Sequence, residues 1–143
     1  GAGAVVMHMQ GEPRTMQASP NYSDVVLEVK DFLQQRVSQL EMLGVDACRI
    51  LVDPGFGFGK NQAHNVSLMK ATRLFSTMAN GVLIGVSRKR MIGEITGESD
   101  PLNRIYGSVA AALFAAQHGA AVVRVHDVKA TCDGLAVLAA LVA

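Results

Sequence analysis

The sequence predicts an α/β protein built on parallel strands. Short apolar runs alternate along the chain with stretches of helical spacing. The runs are apolar on nearly every residue, as in strands covered on both faces. Four of them end in polar residues: Met7-His8-Met9-Gln10-Gly11, Asp53-Pro-Gly-Phe-Gly-Phe-Gly-Lys60, Ser87-Arg88-Lys89-Arg90 and Arg124-Val125-His126-Asp127. Chemistry at the same end of successive strands points to one site at the carboxyl edge of a parallel sheet.

The elements follow in the order β-α-β-α-β-α-β-α. Ala4 to Met9 is the first strand, and the loop Gln10 to Tyr22 carries Gly11, Pro13 and Pro20. Ser23 or Asp24 caps a helix whose apolar positions (Val25, Val26, Val29, Phe32, Leu33, Val37, Leu40) recur every three or four residues, and Gly44 stops it. Ile50 to Val52 is the second strand. Its glycine loop runs to about His64, and one helix with Val66, Met69, Phe75 and Met78 on one side continues to Asn80-Gly81. Val82 to Val86 is the third strand, followed by a helical turn around Met91 to Ile95. Asp100 then caps a longer helix with Pro101 in its first position, a small Gly107 that permits close packing, and Gly119 at its end. Val122 to Val125 is the fourth strand, and Asp127 caps a last helix from Lys129 to Ala143. Four such units fit either an open doubly wound sheet or half of an eight-stranded barrel, since four strands cannot close a barrel alone.

Half of the 143 residues are hydrophobic, few are aromatic and none is tryptophan, which favours a helix-and-sheet core over an all-β one. A net charge of +1 offers no electrostatic case for a nucleic-acid or membrane partner. The longest apolar stretch, Val109 to Val123, is interrupted by Gln117, His118 and Gly119 and falls short of the ~20 residues a membrane span needs. Cys48 and Cys132 form no CxxC pair and read as reduced thiols of a cytoplasmic protein. A first residue other than Met and a last one inside a helical pattern suggest a piece of a longer protein.

The glycine loop fits neither common nucleotide motif. A P-loop needs four residues between its glycine and Gly-Lys, whereas three separate Gly55 from Gly59, and Asn61 replaces the Ser or Thr. A dinucleotide fingerprint needs GxGxxG running straight into a helix. The glycines instead let the backbone approach a flat ligand, or simply make a permissive loop. Asp53 at a strand end can accept two parallel hydrogen bonds from an amino-pyrimidine edge, or can act as a turn aspartate. Phe56 and Phe58 can wall such a ring or plug the core. Alternation sends Ser87 and Lys89 to one side and Arg88 to the other, and leaves Arg124 and His126 sharing a side. Lys89 is then a donor in the site or part of a solvated face. Arg124 and His126 form an anion clamp, or His126 is a capped histidine. His8 points away from Met7 and Met9, and His64 and His118 sit at loop or helix ends. No clustered Cys/His set marks a metal site.

Together MHMQG, LVDPGFGFGKN, GVSRKRMIG and RVHDV make the chain similar to the bacterial dihydropteroate synthase family, in order and spacing, over essentially its whole length. The resemblance implies a (β/α)8 TIM barrel of which residues 1–143 form a pterin-binding domain equivalent to strands five to eight. It implies condensation of 4-aminobenzoate with 6-hydroxymethyl-7,8-dihydropterin diphosphate, releasing diphosphate with the help of Mg2+. It implies a cytoplasmic homodimer whose partners are those small molecules. By the same resemblance Asp53, Lys89, Arg124, Met7, Phe58 and Gly85 bind the pterin. Ser87, Arg88, Lys89 and Phe58 face the aminobenzoate, and Arg124 and His126 hold the diphosphate. The reacting centre falls to Lys89, Arg124 and His126. The family's first four strands, with the asparagine that meets the metal, have no counterpart here, so these residues alone are expected to lack turnover and to hold no metal. Three alternatives stand beside this reading: a methyltetrahydrofolate methyltransferase type of pterin barrel, a non-catalytic half-barrel that self-associates, and a small open-sheet phosphate-binding domain with no pterin role.

Overall fold

Four short strands lie side by side in chain order, all parallel. The structure, a computed structural model, describes residues 1–12 and 14–142; Pro13 in the first loop and Ala143 at the expected end of the last helix lie outside the described residues. β1 (Ala4–Met7) pairs with β2 (Ile50–Asp53) in a register that puts Met7 beside Asp53. A single parallel bridge, Val52 to Val82, carries β2 on to β3 (Leu83–Ile84), which pairs with β4 (Val122–Val123). The third and fourth strands are therefore shorter than expected. Val86 does not continue the ladder, because its carbonyl accepts the Lys89 N–H (3.1 Å) in a turn.

The helices follow their caps. Asp24, not Ser23, caps α1 (Val25–Met42), accepting from Val26 and Leu27 N–H, and Gly44 ends it at a φ of 86°. The one helix expected after the glycine loop is two, α2 (Gln62–Lys70) and α3 (Thr72–Ser76), and Met78 lies beyond both. At the break the Thr72 hydroxyl donates to the Met69 carbonyl at 2.7 Å and competes with the helical ladder. α2 opens on a capping box in which Asn61 and His64 exchange hydrogen bonds, so His64 belongs to the helix start. α4 (Arg90–Thr96) is the short helix after β3. Asp100 and Pro101 begin a 3-10 turn, Pro101–Asn103, rather than the long helix; α5 (Ile105–Gln117) starts after Arg104. A Cβ on Gly107 would stand 2.6 Å from Ile92, so α5 does use its glycine to press against α4. α6 spans Val128–Val142. Asp127 precedes it, but its carboxylate is engaged by Arg88 instead of capping.

Val29, Leu33, Ile50, Val52, Phe56, Leu68, Phe75, Val82 and Ile84 make a continuous core between the strands and helices. The expectation that every strand is covered on both faces holds for β2 and β3, where no residue is exposed. Val5 and Met7 of β1 and Val122 of β4 stay exposed, because nothing among the described residues lies over that face. Cys48 and Cys132 are free and exposed. Among the described residues no helix is long and apolar enough to cross a membrane.

Candidate functional site

The site begins with the strand ends. Asp53, last residue of β2, is 4% exposed. Its Oδ1 accepts the Gly55 N–H at 2.8 Å, while its Oδ2 lies 3.8 Å from Nη2 of Arg124. Burial raises the Asp53 carboxyl above the usual range; the Gly55 N–H and the charges of Lys89, Arg124 and Lys60 pull the other way. One carboxylate oxygen is thus committed to the loop. The other stands at the carboxyl edge beside a cation.

The glycine loop is shaped by another stretch of backbone. Gly55 and Gly59 have φ of 73° and 66°. A Cβ on Gly55 would lie 1.8 Å from the His8 carbonyl oxygen, and one on Gly59 2.2 Å from that of Gln10. At both glycines a close approach is made by the exit of β1, which crosses over the loop. Phe56 is 1% exposed and plugs the core, leaving Phe58 as the loop's half-buried aromatic.

Lys89 reaches into this corner. Its ammonium donates to the Phe56 carbonyl and sits 4.6 Å above the Phe58 ring. Burial lowers its pKa, opposed by the charge of Asp53. The Arg124 guanidinium covers Gly85, where a Cβ would stand 2.9 Å from Nη2; any side chain at 85 would displace it. Asp53, Met7, Phe58, Gly85, Lys89 and Arg124 therefore gather at one edge.

The remaining expected site residues do not join this group. The strand has ended before Ser87 and Arg88, and Arg88 has a φ of 58°, so alternation does not govern this turn. Ser87 is buried against His126, its Oγ 3.1 Å from Nδ1. Arg88 grips the Asp127 carboxylate through Nε (3.0 Å) and Nη2 (2.5 Å), which holds that carboxyl below the usual carboxylate range. Arg88 is thereby engaged in an ion pair with Asp127. His126 is exposed on the same edge as Arg124. A cleft of about 270 Å³ lies next door, between the glycine loop and α4, walled by Phe56, Lys60, Asn65 and Lys89. Asp53, Arg124 and His126 are not on its wall. Arg124 and His126 are exposed at the carboxyl edge, and Asp53 is buried beside Arg124.

Two residues that carry the site's scaffold escaped the sequence reading. Lys60, 2% exposed, donates to the carbonyls of Gly55 and Phe58 (3.0 Å each) and pairs with Nδ1 of His8 at 2.9 Å. Asn65 accepts the Gly57 N–H at 2.8 Å. The sequence carries no clear signal for Lys60, because a loop lysine is ordinarily solvated and only the fold buries this one. Among the described residues no three His, Cys, Asp or Glu side chains gather to hold a metal ion.

Parallel strands whose carboxyl edge gathers a carboxylate, two cations and an aromatic ring define an α/β protein with a charged cluster at that edge. Residues 1–126 match the family described as pterin binding enzyme. A dihydropteroate synthase of Neisseria meningitidis serogroup C is 52% identical over 134 residues, 93% of this chain and 47% of its own. A solved dihydropteroate synthase of Stenotrophomonas maltophilia with bound imidazole superimposes with a TM-score of 0.93 at 50% identity, over 97% of this chain and 52% of that one. The enzyme of Xanthomonas albilineans in complex with 7,8-dihydropteroate gives 0.89 at 49% identity, over 97% and 50%. The chain belongs to the pterin-binding enzyme family. It spans about half the length of the curated relatives it matches.

Proposed function

We propose that this chain supplies the second half of a dihydropteroate synthase site, on strands equivalent to the last four of a (β/α)8 barrel. The observation that carries the reading is the convergence of Asp53, Lys89 and Arg124 beside Phe58 at the carboxyl edge of adjacent parallel strands. The relative that holds 7,8-dihydropteroate, the product in which pterin and aminobenzoate are already joined, supports it.

In this reading the free oxygen of Asp53 takes the amino-pyrimidine edge of the pterin. Met7, Phe58 and Gly85 border the ring, and the Arg124 guanidinium lies on it, its planar face suited to a flat heterocycle. Lys89 contacts the pterin and orients the aminobenzoate, with Ser87 and Arg88 on the aminobenzoate side of the turn. Arg124 and His126 hold the diphosphate. The aminobenzoate nitrogen forms a bond to the exocyclic CH2 of the pterin, the C–O bond to diphosphate breaks with its electron pair, and the nitrogen gives up a proton. The electron-rich dihydropterin stabilises the developing positive charge, so the protein orients the partners and steadies the leaving anion. No covalent nucleophile is required. Mg2+ accompanies the diphosphate in this reaction, but the described residues offer no ligand set for it. The residues of this chain alone complete neither the metal site nor the pterin slot, and residues 1–143 by themselves are inactive.

Lys89→Ala in the full-length protein tests the assignment. It removes a charge from the reacting centre and is expected to lower kcat by about a hundredfold or more. Near-normal kinetics would refute the role.

A further inference from the structure

We propose that Ser87 is a positioning residue that presents His126 to the site as its Nε2–H tautomer. This deepens the proposed function and rests on its assignment of His126 to the diphosphate. The β3–β4 ladder explains how the contact arises. Val122 N–H donates to the Val82 carbonyl and Arg124 N–H to that of Ile84. The next rung of a parallel ladder would join His126 N–H to the Val86 carbonyl. That carbonyl has turned to accept Lys89 N–H. The Ser87 hydroxyl oxygen takes its place and accepts His126 N–H at 3.2 Å.

The same oxygen lies 3.1 Å from Nδ1 of the His126 ring. Ser87 is buried, and a buried hydroxyl proton left without an acceptor is costly. Among the described residues the acceptor that Ser87 reaches is Nδ1 of His126. The hydroxyl therefore donates to Nδ1, and the neutral ring must carry its own proton on Nε2. Nε2–H is the ring atom left over for a ligand, and it donates to a phosphate oxygen without needing a charge on the ring. One side chain thus replaces a missing main-chain rung, fixes the loop after β4, and sets which ring nitrogen faces the anion.

The test is the nitrogen spectrum of His126 in the full-length protein labelled with 15N-histidine, in wild type, Ser87→Ala and Ser87→Thr, with titration of inorganic pyrophosphate. The neutral wild-type ring is expected to be Nε2–H. In Ser87→Ala it should become a mixture of tautomers, with pyrophosphate bound about tenfold more weakly, the loss of one hydrogen bond's worth of preference. Ser87→Thr, which keeps the hydroxyl, should restore both. A wild-type ring protonated on Nδ1, or a tautomer indifferent to Ser87→Ala, would overturn the proposal. A tautomer that responds to Ser87→Ala, with pyrophosphate affinity unmoved by His126→Ala, would uphold the serine clamp and refute the diphosphate reading.

Discussion

Gly55 and Gly59 are held where a side chain cannot go. Each combines a left-handed backbone with the carbonyl of another segment inside the space of its absent Cβ. Gly55→Ala is expected to destabilise the fold by about 3 kcal/mol or more, strain and overpacking together. Gly44 has the same handedness but nothing within 4 Å of its Cβ position, and Gly44→Ala should cost about 1 kcal/mol. Urea denaturation of the two variants checks the contrast; equal losses would mean that the crossing of β1 over the loop is not tight. The glycine spacing announced a close approach in the sequence, but not to what. Which backbone crosses a loop is decided by strand order, a long-range property. Asp53 and Arg124 stood out in the sequence because each comes directly after an apolar run, Ile50–Val52 and Val122–Val123, and Lys89 because it stands in the basic run that follows Val82–Val86. Ser87 and Arg88 were less so, because the left-handed Arg88 breaks the alternation that would otherwise aim them.

At the scale of elements, the join between β1 and the glycine loop is a basic couple. His8 and Lys60 meet at 2.9 Å, and burial, helped by the Lys60 charge, lowers His8 from 6.5 to about 4. The unfolded chain therefore takes up a proton near pH 6.5 that the folded chain refuses until about 4. Stability is fully held above that window and drains as pH falls through it, by up to about 3 kcal/mol. Lys60 acts at the other end: burial depresses it to about 7 from 10.5, so stability rises with pH across that interval. Thermal melts at pH 6.5 and 4.5 should show the acid loss in wild type and a smaller one in His8→Asn; identical losses would remove His8 as the cause. The caps were readable for the same reason that this couple was not. Asp24 and Gly44 act on their own neighbours in the chain, whereas His8 and Lys60 are far apart in sequence. The α2–α3 break and the short β3 and β4 also lay beyond periodicity, since a hydroxyl donating to Met69 and a carbonyl turned to Lys89 leave the apolar pattern intact.

For the whole molecule, the parallel order β1-β2-β3-β4 leaves β1 and β4 without an outer strand partner among the described residues and one sheet face partly bare. Val5, Met7 and Val122 are exposed on that face, and the chain spans about half the length of the curated relatives it matches. The proposed site stands or falls on Asp53 and Arg124 contacting one ligand. The decisive experiment is calorimetric titration of the full-length protein, its Asp53→Ala variant and its Arg124→Ala variant with 6-hydroxymethyl-7,8-dihydropterin and with its diphosphate. Asp53→Ala is expected to weaken both ligands by about 2–5 kcal/mol, as for a broken buried charge contact. Arg124→Ala should weaken the diphosphate more than the parent pterin. Unchanged pterin affinity in Asp53→Ala would refute the shared site.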